Sequence, residues 1–329
     1  MSRIGIFFIF LMNFYFLSSQ NNANKDSTSL ISYTDKIIIK ANLETQSASY
    51  SIIPEDDSYV LLSSNDKFRL TLSLDYEFIG VSFGFSPKFF SENKDNELKG
   101  ESSFTDYGFR FFLGNWTQEL EYKKVQGFYI ENTDDFIPNW INGQDAYIQF
   151  PDFKTIFWGG STSYVLNPNF SLRNVVYNTE WQRKSAGSFI PTLRYGYTHL
   201  SAIFSDSKDY LNSFDIRLAP EYYFTLVIHE NWFISPYLSP SFGIRFSTEG
   251  SQDSQKKEKN IYWPTSIDGG LQLGYSSGRV IFGANFNFES IWYNEGNQNI
   301  FNDKTHTKLY LGFRFDSPKP VKKLFNRIK

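Results

Sequence analysis

Between Lys67 and Phe78 the chain alternates with a period of two. Phe68, Leu70, Leu72, Leu74, Tyr76 and Phe78 are apolar, and Lys67, Arg69, Thr71, Ser73, Asp75 and Glu77 between them are polar. Successive side chains of a strand point to opposite faces, so this spacing predicts a strand with one apolar and one polar face. The same pattern runs through Phe214 to His229, Ser241 to Ser247, Phe282 to Glu289 and Lys308 to Phe315, and around Tyr107 to Leu113. The body of the chain therefore reads as all-β.

Two environments produce such strands. In a soluble exported β-sandwich the apolar face is core; in a membrane-spanning barrel it meets lipid and the polar face lines the lumen. Several segments exceed the usual strand of 5–6 residues. Their apolar faces use Phe and Tyr where a close-packed sandwich would lean on Val and Ile. Trp116, Trp232, Tyr262, Trp263, Trp292 and Tyr293 gather near strand ends, as interfacial girdles do. These features favour a single transmembrane antiparallel β-barrel of outer-membrane type, of about 12 strands, with 10 or 14 as alternatives. The sandwich, binding cell-wall glycan, is the alternative.

Gly114-Asn115, Asn167-Pro168-Asn169, His229-Glu230-Asn231 and Ser276-Ser277-Gly278 have hairpin-turn chemistry, and 86–103, 131–152, 247–261 and 293–305 read as long loops. Pairing short periplasmic turns with long external loops works from either end but falls out of phase near 183–212. Segments 36–43 and 47–53 are the ambiguous strands. Pro220 lies inside a strand pattern and predicts a bulge.

The ends read differently. Residues 1–19, with Arg3 ahead of a short apolar run, have the form of a secretory signal peptide. Residues 20–32 read as a flexible mature N-terminus, 33–315 as one barrel domain and 316–329 as a basic tail. Residues 308–315 resemble the terminal insertion signal of outer-membrane proteins, which implies the barrel-assembly machinery and outer-membrane lipid as partners. The tail has two readings: an arm touching headgroups or cell wall, or a frayed solvated end.

Composition narrows the chemistry. Of 329 residues 19% are aromatic and 41% hydrophobic, so disorder is excluded. With 0 Cys and 3 His, neither thiolate chemistry nor a histidine metal site is expected. A net charge of −3 with both signs abundant gives no field for nucleic acid. No phosphate loop or dinucleotide fingerprint occurs, and no cofactor or metal is expected; Asp134, Asp135 and Asp145 have no specific Ca²⁺ spacing. The polar face offers Arg69, Asp75, Glu77, Arg110, Glu121, Arg194, Asp215, Arg217, Glu221, Arg245, Glu289 and Arg314 as candidate lumen-lining residues. Their mixed signs suit either a lumen closed by ion pairs or a narrow pore or pocket. His199, near Ser201, Ser205 and Asp206, is the basis for a rival reading as a barrel-borne lipid or peptide hydrolase. Without a convincing catalytic constellation, the protein reads as a structural, small-pore or ligand-binding barrel that is not an enzyme.

At 180–190 the chain reads E-W-Q-R-K-S-A-G-S-F-I. This segment resembles the most distinctive stretch of an outer-membrane family of Bacteroidota-type bacteria, the domain of unknown function 4421. Tyr33-Thr34-Asp35-Lys36, Gln126-Gly127-Phe128-Tyr129, Asn167-Pro168-Asn169-Phe170 and Asn231-Trp232-Phe233-Ile234-Ser235 add to the likeness. The resemblance implies an exported β-rich barrel and brings no catalytic residue or ligand. Arg183, Lys184, Ser185, Ala186 and Gly187 then form either a family-specific turn or a site.

Overall fold

The computed structural model describes residues 29–46, 50–52, 59–204, 207–251, 257–295 and 298–327. The expected signal peptide, most of the N-terminal flexible segment, and Ser205 and Asp206 lie outside the described residues. Among the described residues seventeen strands follow in chain order: β1 Leu30–Ser32, β2 Lys36–Gln46, β3 Tyr50–Ile52, β4 Val60–Ser63, β5 Phe68–Tyr76, β6 Ile79–Phe85, β7 Ser103–Leu113, β8 Trp116–Ile130, β9 Gln149–Tyr164, β10 Glu180–Gln182, β11 Ala186–Phe204, β12 Ser207–His229, β13 Trp232–Ser251, β14 Lys257–Tyr262, β15 Thr265–Ser276, β16 Val280–Glu295 and β17 Gln298–Asp316. Twelve of them, β2, β5–β9, β11–β13 and β15–β17, close into one antiparallel barrel. Each pairs with its barrel neighbours in chain order. The ring closes where β2 meets β17, from Lys36 opposite Asp316 to Gln46 opposite His306. Closure gives every barrel strand a paired neighbour on both sides.

The two faces are inverted relative to a soluble protein. Leu72, Leu74, Val81, Phe83, Leu218, Phe242, Leu309 and Leu311 point outward and are exposed, while Lys40, Ser73, Asp75, Asp215 and Glu221 point inward and are buried. A soluble sandwich would bury the first set, so this inversion excludes it. Aromatic rings run side by side across the outside of neighbouring strands. Phe83 and Tyr107 have centroids 5.3 Å apart, Tyr107 and Tyr122 6.0 Å, and Tyr122 and Trp158 4.4 Å. Trp116 and Trp232 mark the outer surface near one end. At the other end alternation splits the expected girdle: Trp263 is 71% exposed, but Tyr262 is 8% exposed, and Tyr293 lies inside under the Arg245 guanidinium.

Several connections differ from the expected pattern. Segment 36–43 is a barrel strand; of segment 47–53, 47–49 and 53 lie outside the described residues, and 50–52 form β3, which among the described residues pairs only with β4. The 293–305 loop is mostly β16 and β17, which end and begin at Glu295 and Gln298, and the 247–261 loop is largely taken up by β13 and β14. The phase failure near 183–212 has two causes. β11 and β12 are joined by two residues at the end that carries most of the long loops, as β16 and β17 are, and 165–185 is a long connection at the end that otherwise carries tight turns. Pro220 makes no bulge, because β12 and β13 keep one register from Leu218 opposite Phe242 to Tyr222 opposite Leu238; the shift comes at Val227–His229. Leu30–Ser32, expected to be flexible, pair with β10.

Candidate functional site

The inward faces enclose a cavity of about 520 Å³. Its charges are mostly paired across strands. Asp75 on β5, Gly80 on β6 and Arg110 on β7 stand in register, and Arg110 Nη2 reaches over Gly80 to donate to Asp75 Oδ1 at 3.0 Å. A Cβ at Gly80 would lie 2.1 Å from that oxygen, so the glycine makes room for the pair. Arg194 on β11 spans three strands: it donates to Glu221 at 2.7 Å and to Ser239 at 2.8 Å, and reaches Asp268. Arg245 donates to Asp215 at 2.7 Å. Glu44 accepts from Lys308 at 3.2 Å and lies 3.2 Å from His306 Nε2. Lys123 meets Glu121 at 2.6 Å.

Most of the expected lumen residues are therefore in place. Arg217 lines the cavity, with Nη1 buried and unpartnered. Glu289 is on the same inward face, opposite Asp268. Arg69 lies near the loop end, pairing with Asp66 at 2.8 Å. Glu77 is a correction: it sits in the turn after β5 with φ 55°, out of the lumen. Lys40, Glu44, Asp106 and Asp268 are lumen residues that sequence reasoning missed. Lys40, Asn42 and Glu44 carry the polar half of an alternation that was readable in β2.

The end with tight turns is closed by the β9–β11 connection, 165–185, which folds inward across the lumen. Val165, Phe170, Leu172 and Val175 pack with Ile190 into a buried cluster. Ser171 Oγ accepts from Asn174 N at 2.9 Å and opens a short helical turn, Arg173–Tyr177. The turn ends at Asn178 in the left-handed region, φ 60°. Tyr177 donates its hydroxyl to Glu119 on β8 and packs on Phe112 of β7. Burial raises the Tyr177 phenol well above its ordinary value, so it stays a donor. Asn178 is the central node. Its Oδ1 accepts from Lys40 Nζ at 3.1 Å, its carbonyl accepts from Arg314 Nη2 at 2.7 Å, and its Nδ2 donates to Asn174 O at 3.0 Å. Trp181 meets Phe233 on β13 at 5.7 Å. The segment thus touches walls on both sides of the barrel and plugs it. Arg314, expected to line the lumen, serves as a latch on this plug.

A family model described as Domain of unknown function (DUF4421) matches residues 24–315. The chain belongs to that family. In this DUF4421 barrel, four of the sequence segments that resemble the family meet at the plug. Tyr33 lies under the Arg314 guanidinium at 3.9 Å and donates its N–H to Thr179 O. Asn167 accepts from Asn169 N at 3.0 Å, turning the chain into the plug, and Phe170 joins its apolar cluster. Arg183, Lys184 and Ser185 are the exposed return from β10 to β11, where Arg183 N donates to Ser29 O. Ser185 Oγ accepts from Val227 N at 3.0 Å. Ala186 and Gly187 begin β11, and a Cβ at Gly187 would lie 2.6 Å from the Tyr222 hydroxyl. In this structure the stretch is an exposed return that runs into the packed first residues of β11. Phe233 supplies the wall beneath Trp181.

The histidines are dispersed. His199 is on the outward face, bonded through Nδ1 to Asn212 Oδ1 at 2.8 Å, and His229 is exposed at the end of β12. Asp135 and Asp145 cap their own loop, accepting from Asn132 Nδ2 and Ile141 N. Among the described residues no group of His, Asp and Glu is arranged to hold a metal.

Solved structures similar to the DUF4421 barrel include the outer membrane protease OmpT from Escherichia coli, at 7% identity over 89% of this chain and 100% of that one, TM-score 0.36. LpxR from Salmonella typhimurium shows 11% identity over 84% and 99%, TM-score 0.35. The β domain of the Bordetella autotransporter BrkA shows 10% over 88% and 100%, TM-score 0.33. No curated protein sequence matches the chain.

Proposed function

We propose that this protein is an outer-membrane barrel that binds a small polar ligand in a plugged lumen and is neither an open pore nor an enzyme. The observation that carries the reading is the plug over a cavity of about 520 Å³ whose walls present both carboxylates and cations. Such a wall suits a ligand bearing donors and acceptors together and gives no single-sign filter for ions. The exposed apolar exterior supports placement in a bilayer, because water would leave that whole surface unburied. By the usual asymmetry of such barrels, the tight turns and plug face the periplasm. The export signal at 1–19, and recognition of 308–315 by the barrel-assembly machinery, belong to the same reading.

The test is planar-bilayer conductance of the refolded chain. The expected result is no steady current, with opening events after Lys40→Met and Arg314→Met release Asn178. A stable ohmic current through the native chain would overturn the plugged reading. Recovery in the soluble fraction after carbonate washing would overturn the membrane placement.

A further inference from the structure

The outward row of β5 runs Leu72, Leu74, Tyr76. Leu72 and Leu74 are 45% and 43% exposed, yet Tyr76 is 5% exposed. Its cover is the C-terminal tail. After the outward-facing Phe313 and Phe315, the chain turns at Ser317, whose hydroxyl donates to Asp35 O at 3.1 Å and accepts from Tyr76 Oη at 3.2 Å. A helix, Lys319–Phe325, then places Phe325 edge-on to Tyr76 at 4.8 Å and against Phe78 at 5.7 Å. The tail is therefore neither frayed nor beneath the lumen. It is docked on the outside of the barrel wall, at the tight-turn rim. Lys319, Lys322, Lys323 and Arg327 are exposed there, beside Leu324 at 56% exposure.

A short helix with one apolar anchor on the wall, one apolar side chain free and several cations has the chemistry of an interfacial segment. Its position, continuous with the exposed Phe313 and Phe315, puts it where a bilayer's headgroups would meet the barrel. We infer that the C-terminal helix is an interfacial clamp that holds anionic phospholipid headgroups with its cations while Leu324 enters the lipid. The inference rests on the membrane placement proposed above.

The chain holds 0 Cys, so a single introduced cysteine can carry a polarity-sensitive fluorophore. The full chain bearing Leu324→Cys is refolded into phosphatidylglycerol or phosphatidylcholine vesicles, with Leu72→Cys as the reference on the barrel wall. The label at 324 should report an apolar setting in phosphatidylglycerol and a wetter one in phosphatidylcholine. Lys322→Gln and Lys323→Gln should each raise the phosphatidylglycerol fraction needed for half the shift about fivefold. Phe325→Ala should return the label to water. If 324 reports water in both lipids while 72 reports lipid, the clamp is overturned and the membrane placement stands. If both positions report water, the placement falls and the clamp with it. Equal shifts in both lipids, unchanged by Lys→Gln, or quenching by purified cell wall in place of lipid, would overturn the headgroup assignment.

Discussion

At the scale of single residues, the lumen is built from pairs that depend on register. Asp75 is fully buried and its pairing with Arg110 spans the strand between them. Truncating Arg110 to Met leaves a buried carboxylate without its cation, which costs about 3–5 kcal/mol. Urea unfolding in vesicles should show that loss, and Asp75→Asn added to it should restore most of the stability. Gly80→Ala inserts a methyl where Asp75 Oδ1 sits and should cost about 1–3 kcal/mol in the same measurement. Register also explains which residues were legible. Alternation placed Asp75 and Arg110 inside correctly, but it carried Glu77 inward too, because period two says nothing of where a strand ends. Two residues further on the chain has already reversed at a positive φ. Alternation likewise sends Tyr262 and Trp263 to opposite faces, although adjacency had suggested one girdle.

At the scale of elements, the plug is what periodicity could not show. Its residues follow no repeat; they are arranged by an Asx turn at Asn167, a short helical turn and side chains reaching to the wall. Asn178 combines a left-handed backbone with three bonds to separate partners. A β-branched residue strains that conformation, so Asn178→Val should loosen the plug. Protease cleavage within 165–185 should then become faster in folded protein, and Asn178→Gly, which keeps the backbone free but loses the side chain, should give an intermediate rate. Unchanged protection in both variants would show that the apolar cluster around Ile190 holds the segment by itself. Pro220 carries a related lesson. A missing ladder donor requires an absent bond, not a change of register, and the ladder simply passes it.

For the whole molecule, the decisive property is which face is buried. Lipid-facing and lumen-facing positions alternate, so neighbouring substitutions should have opposite consequences. Leu72→Arg, outward and mid-strand, should cost about 2–4 kcal/mol in vesicles, while Asn287→Lys, at a residue that lines the cavity from β16, should cost far less. Urea titrations of the two variants compare them directly. Equal costs would show that the exterior is not solvated by hydrocarbon.

The sequence alone determined the strand chemistry, the polar and apolar faces, the approximate strand number and the family, because all of these are carried by local spacing and short motifs. It left open whether the apolar face was core or surface, since both environments select the same alternation. Only the tertiary structure decided that, by closing β2 onto β17 and turning the polar face inward. It likewise decided the partners of each lumen charge, the folding of 165–185 into a plug and the docking of the tail on Tyr76. Those contacts join residues far apart in the chain, and no local pattern encodes them.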